Sequence, residues 1–547
     1  MERIIRAEAM AVIAGTLLAA GAALAADWPQ YGGDIRNSRN QAGETAITPA
    51  NVGGLVVKWT FDTTGGDPDA IGGDISATPS VQDGYLYFGD WNGGIHKVDA
   101  ATGAAVWSVD LSSITGFPDR TRHTPAIAGD LVIFGNQAGR VTFGQGGAKL
   151  VALNKSDGSL AWVRQLDTNG WSVVTSSPTV VDGVAYVGVA SFEEAAAGLF
   201  PVDGLYTQSF RGSVAAVDVA SGLILWQTYT APVGFTGNSV WGSAPAVDLA
   251  RNQLYVATGN NFSAPASYHA CIEKAKNANQ KSACNPGGNY FDSVLALKLT
   301  TGEVNWVKRV EPYDTWNLDC FPALLGLPWE PNTIGNCPQY DEERPDLSGP
   351  DFDFAQAPIL YTASGPGNGR GADYVGVGQK SGVYWALRPS NGDVLWSTRT
   401  GPGGLAGGHQ WGSASDGERI YTSNANSFRK PYSAPGISTQ AGIFSALDGR
   451  TGSIIWQIAN PESSPAGAPA TIANGVMYVC SGGPSGYMYA LDAATGAVLW
   501  SFASGTHCGA GAAVANGVVY WGTGYHEGHM APPGGGKLYA FELAPAP

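Results

Sequence analysis

The stretch ALDAATGAVLW, residues 490–500, is a short alternating run, a turn ending in glycine, and a tryptophan. Six relatives of it precede it: KVDAATGAAVW (97–107), ALNKSDGSLAW (152–162), AVDVASGLILW (216–226), ALKLTTGEVNW (296–306), ALRPSNGDVLW (386–396) and ALDGRTGSIIW (446–456). A small polar residue before glycine supplies the positive φ of a tight hairpin, so each copy reads as two strands joined by a turn. The ends of the chain hold half a copy each. NVGGLVVKW (51–59) has the tryptophan strand without its partner, and KLYAFEL (537–543) has the partner without the tryptophan. Together they make an eighth unit.

Further strands lie between the copies, such as SATPSVQDGYLYFG (76–89) and PATIANGVMYVCSG (469–482). Each repeat therefore offers about four strands. Four-stranded units arranged radially protect their sheet edges by closing a ring, so the sequence predicts an all-β, eight-bladed β-propeller closed by N- and C-terminal strands. The repeated tryptophans read as flat wedges between neighbouring blades. Successive tryptophans are 44 to 90 residues apart, and the excess length falls near 261–290 and 308–357. Long insertions in a repeat protein gather on one face and often serve binding.

The composition agrees with a folded, turn-rich chain. Of 547 residues, 44% are hydrophobic and only 14% charged, with 76 glycines and 33 prolines. The net charge of −15, with no basic stripe, argues against a nucleic-acid binder. Residues 1–25 read as a secretory signal: Arg3 and Arg6, then an apolar run from Ala9, then the small-x-small site Ala23-Leu24-Ala25. Residues 26–547 then form the propeller, and no later stretch is long and apolar enough to span a membrane. The six cysteines suit disulfides in an exported protein. Closeness in sequence favours Cys271–Cys284, Cys320–Cys337 and Cys480–Cys508. No CxxCH is present, so a covalently attached c-type haem is excluded.

The repeat Ala-x-Asp/Asn-x-x-Thr/Ser-Gly-x-x-x-Trp, in eight copies with a terminal closure, resembles that of the pyrroloquinoline quinone (PQQ) dehydrogenases. The start DWPQYGGDIRNSRNQ (27–41) is most similar to the members of that family that act on polyvinyl alcohol. The resemblance implies PQQ and Ca²⁺ as cofactors, with the cation held by a glutamate and an asparagine; hard oxygen ligands suit calcium. VGVASFEE (187–194) places Glu193 in the glutamate position and ATGN (257–260) places Asn260 in the other, with Glu194 and Asn261 as adjacent alternatives. Trp241 matches the tryptophan that floors the quinone. Thr175 and Arg122 match contacts to its carboxylates, with Arg120 competing for the arginine's role, and Lys380 matches the cation beside the reactive oxygens.

Two features depart from the family. No adjacent cysteine pair covers the quinone. The catalytic aspartate that follows a tryptophan in the family is replaced, in YDTWNLDCF (313–321), by Asn317, and an amide cannot act as a base. Asp319 is then the first alternative base and Asp314 the second. Asp319 also stands where lanthanide-dependent relatives carry an extra carboxylate, which keeps a lanthanide open beside calcium.

The resemblance thus implies a periplasmic alcohol dehydrogenase that oxidises the hydroxyls of polyvinyl alcohol or related secondary alcohols to ketones and passes electrons to an external cytochrome c. A cofactor-free propeller scaffold for protein partners, as in outer-membrane assembly, is the alternative. Convergence of Thr175, Glu193, Trp241, Asn260 and Lys380 at one end of the channel separates the two. Other chemistry is absent from the sequence: HEGH (526–529) lacks the i, i+4 histidine spacing of a zinc protease.

Overall fold

In the computed structural model the described residues are 27–65, 72–199, 207–242, 244–318, 350–364, 371–525 and 535–545. The predicted signal (1–25), the pair Cys320–Cys337, Asp319 and the HEGH stretch lie outside them.

Each sequence copy forms the outer half of a four-stranded antiparallel blade. In blade 1 the order from the axis outward is Ser80–Gln82, Tyr85–Gly89, Gly94–Asp99 and Ala105–Asp110. Blades 2 to 7 follow over 126–167, 179–229, 246–309, 359–399, 414–459 and 471–503. Blade 8 joins Ala513–Ala515, Val518–Gly522 and Lys537–Leu543 to Leu55–Asp62 from the other end of the chain. The eight-bladed, terminally closed propeller read from the repeats is therefore the fold.

The motif tryptophan and glycine work as a pair across the blade boundary. Each tryptophan ring lies on the turn of the next blade, and its indole N–H donates to a turn carbonyl there: Trp59 to Ala100 at 3.0 Å, Trp226 to Leu299 at 2.9 Å, Trp456 to Ala493 at 3.0 Å. Trp500 donates to Leu55 O at 3.0 Å, which completes the ring. The turn glycine is required twice over. Gly452, for example, has φ of +72°, and a Cβ there would run into the Trp396 ring. The hydrophobic core is correspondingly divided into wedges, each shared by two neighbours. One unites Tyr87 and Ile95 of blade 1 with Val132 and Val151 of blade 2, and another unites Tyr520 of blade 8 with Leu86 of blade 1.

The innermost strands present free backbone edges to the channel, and buried edges need partners. Residues 28–41 supply them as an inner girdle. Trp28 exchanges both backbone hydrogen bonds with Val81 of blade 1 at 2.8 Å, and Pro29 O accepts from Ile127 N of blade 2 at 2.9 Å. The Gln30 side chain accepts from Val180 N of blade 3 at 3.0 Å. Ile35, Arg36, Ser38 and Arg39 carbonyls accept from Val247, Leu360, Ser415 and Ile472 of blades 4 to 7. Gln41 Nε2 donates to Val514 O of blade 8 at 3.0 Å. One irregular segment thus touches all eight blades in order.

Because the strands alternate in direction, the motif turns share one face, and the loops between second and third strands share the other with the blade-to-blade connections. Both long insertions emerge on this second face. The first folds into two helices, Ala266–Lys274 and Ala278–Cys284, clamped by Cys271–Cys284. Cys480–Cys508 is also bonded.

Candidate active site

On that second face the loops converge around the channel mouth and enclose a cleft of about 240 Å³. Its lining draws on most of the ring: Arg122 and Thr175 from blade connections, Glu194 from the short helix that follows a blade 3 strand, Trp241, Asn260, Asp351, Asp353, Lys380, and Tyr525 from blade 8. Four of the residues expected from sequence to bind the quinone, Arg122, Thr175, Trp241 and Lys380, stand together here with Asn260.

Asp353 ties the floor together. Its Oδ1 accepts from Asn260 N at 2.8 Å, and its Oδ2 accepts from Trp241 Nε1 at 2.8 Å and lies 3.0 Å from Lys380 Nζ. Lys380 also reaches Asp351 Oδ1 at 2.9 Å and sits 5.1 Å from the centre of the Trp241 ring. Burial opposes the lysine's charge, but Asp351, Asp353 and Glu194 outweigh it and hold the ammonium above its usual range. Asp351 Oδ2 is buried with no hydrogen-bond partner; burial, then repulsion from Asp353 against the pull of Lys380, raises its carboxyl well above the ordinary value.

Trp241 meets Trp411 edge-to-face, with centres 5.5 Å apart, and Trp411 in turn packs against Tyr525. Thr175 Oγ1 donates to Trp241 O at 2.8 Å. The Arg122 guanidinium lies over Trp411 at 4.9 Å and donates to the Tyr525 hydroxyl at 3.1 Å. Arg120 turns away, donating to Gln137 Oε1 at 2.9 Å and stacking on Trp91.

The structure places the residues expected to hold the cation or act as base in different surroundings. Glu193 is fully buried, and its carboxylate accepts from Phe210 N at 2.8 Å, from Ser209 N at 3.0 and 3.1 Å, and from Asn169 Nδ2 at 2.6 Å. That carboxylate holds a loop and does not line the cleft. Its neighbour Glu194 does, with Oε1 enclosed and without a hydrogen-bond partner. Burial, then repulsion from Asp353, pushes the Glu194 carboxyl up to about 8. Asn261 is consumed in an amide network with Asn238 and Asn289, which leaves Asn260 as the asparagine of the cleft.

Trp316 and Leu318 line the cleft, but Asn317 between them is buried and directs its amide to Phe262 O at 3.2 Å. Asp314 is also buried outside the cleft. It accepts from Phe352 N at 2.8 Å, and burial raises its carboxyl to about 7. The carboxylates that do face the cleft, Asp351 and Asp353, belong to DFDF (351–354), where the second insertion ends. Two aspartates in alternation directly before a strand were the available signal.

Comparison with known proteins agrees with this geometry. The family model described as "PQQ: Glucose/ethanol/alcohol dehydrogenase, beta-propeller domain" matches residues 28–334, more than half of the chain. The chain belongs to that family. The model for the outer membrane protein assembly factor BamB matches residues 440–544. Among characterised relatives, the polyvinylalcohol dehydrogenase of a Pseudomonas species is 28% identical over 453 residues, 80% of this chain and 60% of that protein. The quinohemoprotein alcohol dehydrogenase ADH IIB of Pseudomonas putida is 26% identical over 305 residues, 50% of this chain and 38% of that one. The chain thus spans about 60% of the length of the first of these relatives. In fold it is similar to the crystal structure of the quinohemoprotein alcohol dehydrogenase from Comamonas testosteroni, with a TM-score of 0.67 and 18% identity over 95% of this chain and 82% of the other.

Proposed function

We propose that the protein is a periplasmic PQQ- and Ca²⁺-dependent dehydrogenase that oxidises secondary alcohols, such as the hydroxyls of polyvinyl alcohol, to ketones and delivers the electrons to an external cytochrome c. The observation that carries this reading is the convergence, from separate blades, of a flat aromatic floor, two cations and a set of partly unpartnered carboxylates on one cleft.

The residues fit the cofactors chemically. Trp241 offers a platform for a planar, electron-poor ring. Arg122 would pair with a carboxylate group of the quinone, and Thr175, whose hydroxyl donates to Trp241 O, would hold that platform in place. Glu194 Oε1, enclosed and unpartnered, and the Asn260 side chain are hard oxygen donors of the kind calcium takes. PQQ, when bound, supplies the two-electron acceptor.

This chain's own residues then handle the substrate proton. Both oxygens of Asp353 are occupied, so it orients Trp241, Asn260 and Lys380. Asp351 has one oxygen fixed by Lys380 and the other unpartnered and buried in the cleft. It is the general base of the proposal and would take the proton of the substrate hydroxyl. Lys380 keeps positive charge beside the group that gains electrons. Trp316, Leu318 and Leu405 provide an apolar wall for the alcohol's carbon chain. A scaffold without a cofactor would have no need of unpartnered buried carboxylates here, since each costs free energy to maintain.

Dye-linked oxidation of polyvinyl alcohol by apoprotein supplied with PQQ and Ca²⁺, singly and together, tests the reading. Turnover that needs both, with Asp351→Asn losing kcat by at least roughly 100-fold while still binding PQQ, supports it. Turnover without PQQ, or an Asp351→Asn variant as fast as wild type, contradicts it.

A further inference from the structure

Trp411 stands behind the cleft, packed edge-to-face on Trp241 and against Tyr525, both of which line it, and carries a backbone strain that its side chain does not explain. Its φ is +61°, a left-handed conformation that a bulky residue avoids. Such conformations persist only where surrounding contacts over-determine them, and they concentrate at functional sites. Here the constraint is visible. The Trp411 carbonyl accepts two hydrogen bonds, one from Ala357 N at 2.8 Å and one from the Tyr31 hydroxyl at 2.9 Å. Gln356 and Trp411 also pair as neighbours in a short parallel ladder.

Tyr31 belongs to the inner girdle, 380 residues away in sequence. It packs with Ala244 and Ala357, beside a small adjoining chamber of about 40 Å³ that Arg122, Thr175 and Trp411 also line. Its hydroxyl occupies the space in which a Cβ of Gly412 would stand. The girdle's other end fixes Tyr31 in turn. Arg39, fully buried, donates from Nη1 to Tyr31 O at 2.8 Å and stacks on the Tyr31 ring at 4.8 Å. The remaining donors of Arg39 reach Ala470 O at 2.6 Å, Thr471 Oγ1 at 2.8 Å and Thr78 Oγ1 at 3.1 Å. Among the described residues no carboxylate pairs with it. The guanidinium therefore gathers the two ends of the girdle with blades 1 and 7.

We propose that Tyr31 is a positioning residue for the cofactor cleft: its hydroxyl holds the strained Trp411 in the orientation that buttresses Trp241 and Tyr525, which line the cleft, so the N-terminal girdle is part of the site and not only a closure of the ring. The proposal rests on the cleft being a PQQ site, and its consequence for the free protein does not depend on that. Without the Tyr31 hydrogen bond, Trp411 loses one of two restraints and its packing against Trp241 and Tyr525 loosens.

Tyr31→Phe removes only the hydroxyl and keeps the ring under Arg39. Gly412→Ala keeps the hydroxyl but displaces it. Three measurements on both variants decide the matter: near-UV circular dichroism of the apoprotein, its thermal midpoint, and PQQ affinity by absorbance titration with Ca²⁺ present. The expected result is an altered aromatic spectrum before any cofactor is added, a midpoint within a few degrees of wild type, and a roughly 3- to 10-fold weaker PQQ affinity in both variants, the size of one lost hydrogen bond. An unchanged spectrum with unchanged affinity overturns the proposal. So does an affinity that falls only as the folded fraction falls, since that marks a merely structural role. If wild type itself fails to bind PQQ, the proposed function is refuted, and the apoprotein spectrum alone then decides whether Tyr31 holds Trp411.

Discussion

Two adjacent glutamates, Glu193 and Glu194, open the same short helix, Glu193–Leu199, but only Glu194 faces the cleft, which on the proposed function makes it the cation ligand. Exchanging each for glutamine separates them. In Glu193→Gln one carboxylate oxygen becomes an NH₂ group that faces the N–H donors of Ser209 and Phe210. Two charge-assisted bonds at about 1.5–3 kcal/mol each are lost or reversed, a cost of roughly 3–6 kcal/mol. With an unfolding entropy of roughly 1 kcal/mol per degree for a chain of this size, the apoprotein midpoint drops by roughly 3–6 °C.

Glu194→Gln removes a carboxylate whose Oε1 has no partner, so its midpoint stays within about 1 °C of wild type. Its cation-dependent PQQ affinity falls by at least the roughly 10–100-fold that supporting partners of a metal ligand alone contribute. Calorimetry of the apoproteins and PQQ titrations at graded Ca²⁺ read both effects. A Glu193→Gln variant that melts like wild type but needs far more Ca²⁺, beside a Glu194→Gln variant with ordinary Ca²⁺ dependence, would refute the reasoning.

Three further outcomes are expected. Lys380→Met leaves Asp351 and Asp353 buried without their cation and costs roughly 3–5 kcal/mol at pH 7, part of it recovered at pH 5 as Asp351, whose carboxyl burial already raises, protonates; urea unfolding at the two pH values checks this, and an equal loss at both contradicts it. Gly452→Ala forces a side chain onto a left-handed turn and into the Trp396 ring, lowering stability by roughly 1–3 kcal/mol while PQQ affinity, set on the opposite face, stays constant; a change in affinity would sink the separation of the two faces. His409 is buried between Thr400 and Thr422, and burial depresses its imidazole to about 4. Its folded value lies below the unfolded value of about 6.5, so the stability it contributes is complete above pH 6.5 and is lost as pH falls toward 4, up to roughly 3 kcal/mol. His409→Gln should therefore show a shallower loss of stability over that interval in urea titrations, and parallel profiles would rule the histidine out.

The fold was legible because its determinants are local and repeated. A polar residue, a glycine and a tryptophan within eleven positions encode a turn, a left-handed backbone and an inter-blade wedge, and seven full copies leave little room for another architecture. The girdle was not legible, since residues 28–41 have no period and their partners lie up to 473 residues away. In the site, Thr175, Trp241, Asn260 and Lys380 could be placed from short motifs at strand ends, where the backbone direction is already fixed. Glu193 and Glu194 could not be told apart. Consecutive residues at a helix start point about 100° apart, and which one meets the cleft depends on Ser209 and Phe210. Asp351 was missed because the second insertion separates it in sequence from Trp316, its neighbour in the cleft, so no spacing rule reaches it.

The most direct test of the central claim is an equilibrium titration of purified apoprotein with PQQ, followed by absorbance, with and without Ca²⁺. The account predicts one PQQ per chain, bound tightly only when Ca²⁺ is present, and weakened in Glu194→Gln but not in Glu193→Gln once the latter is folded. Failure of the folded apoprotein to bind PQQ at any Ca²⁺ concentration would contradict it.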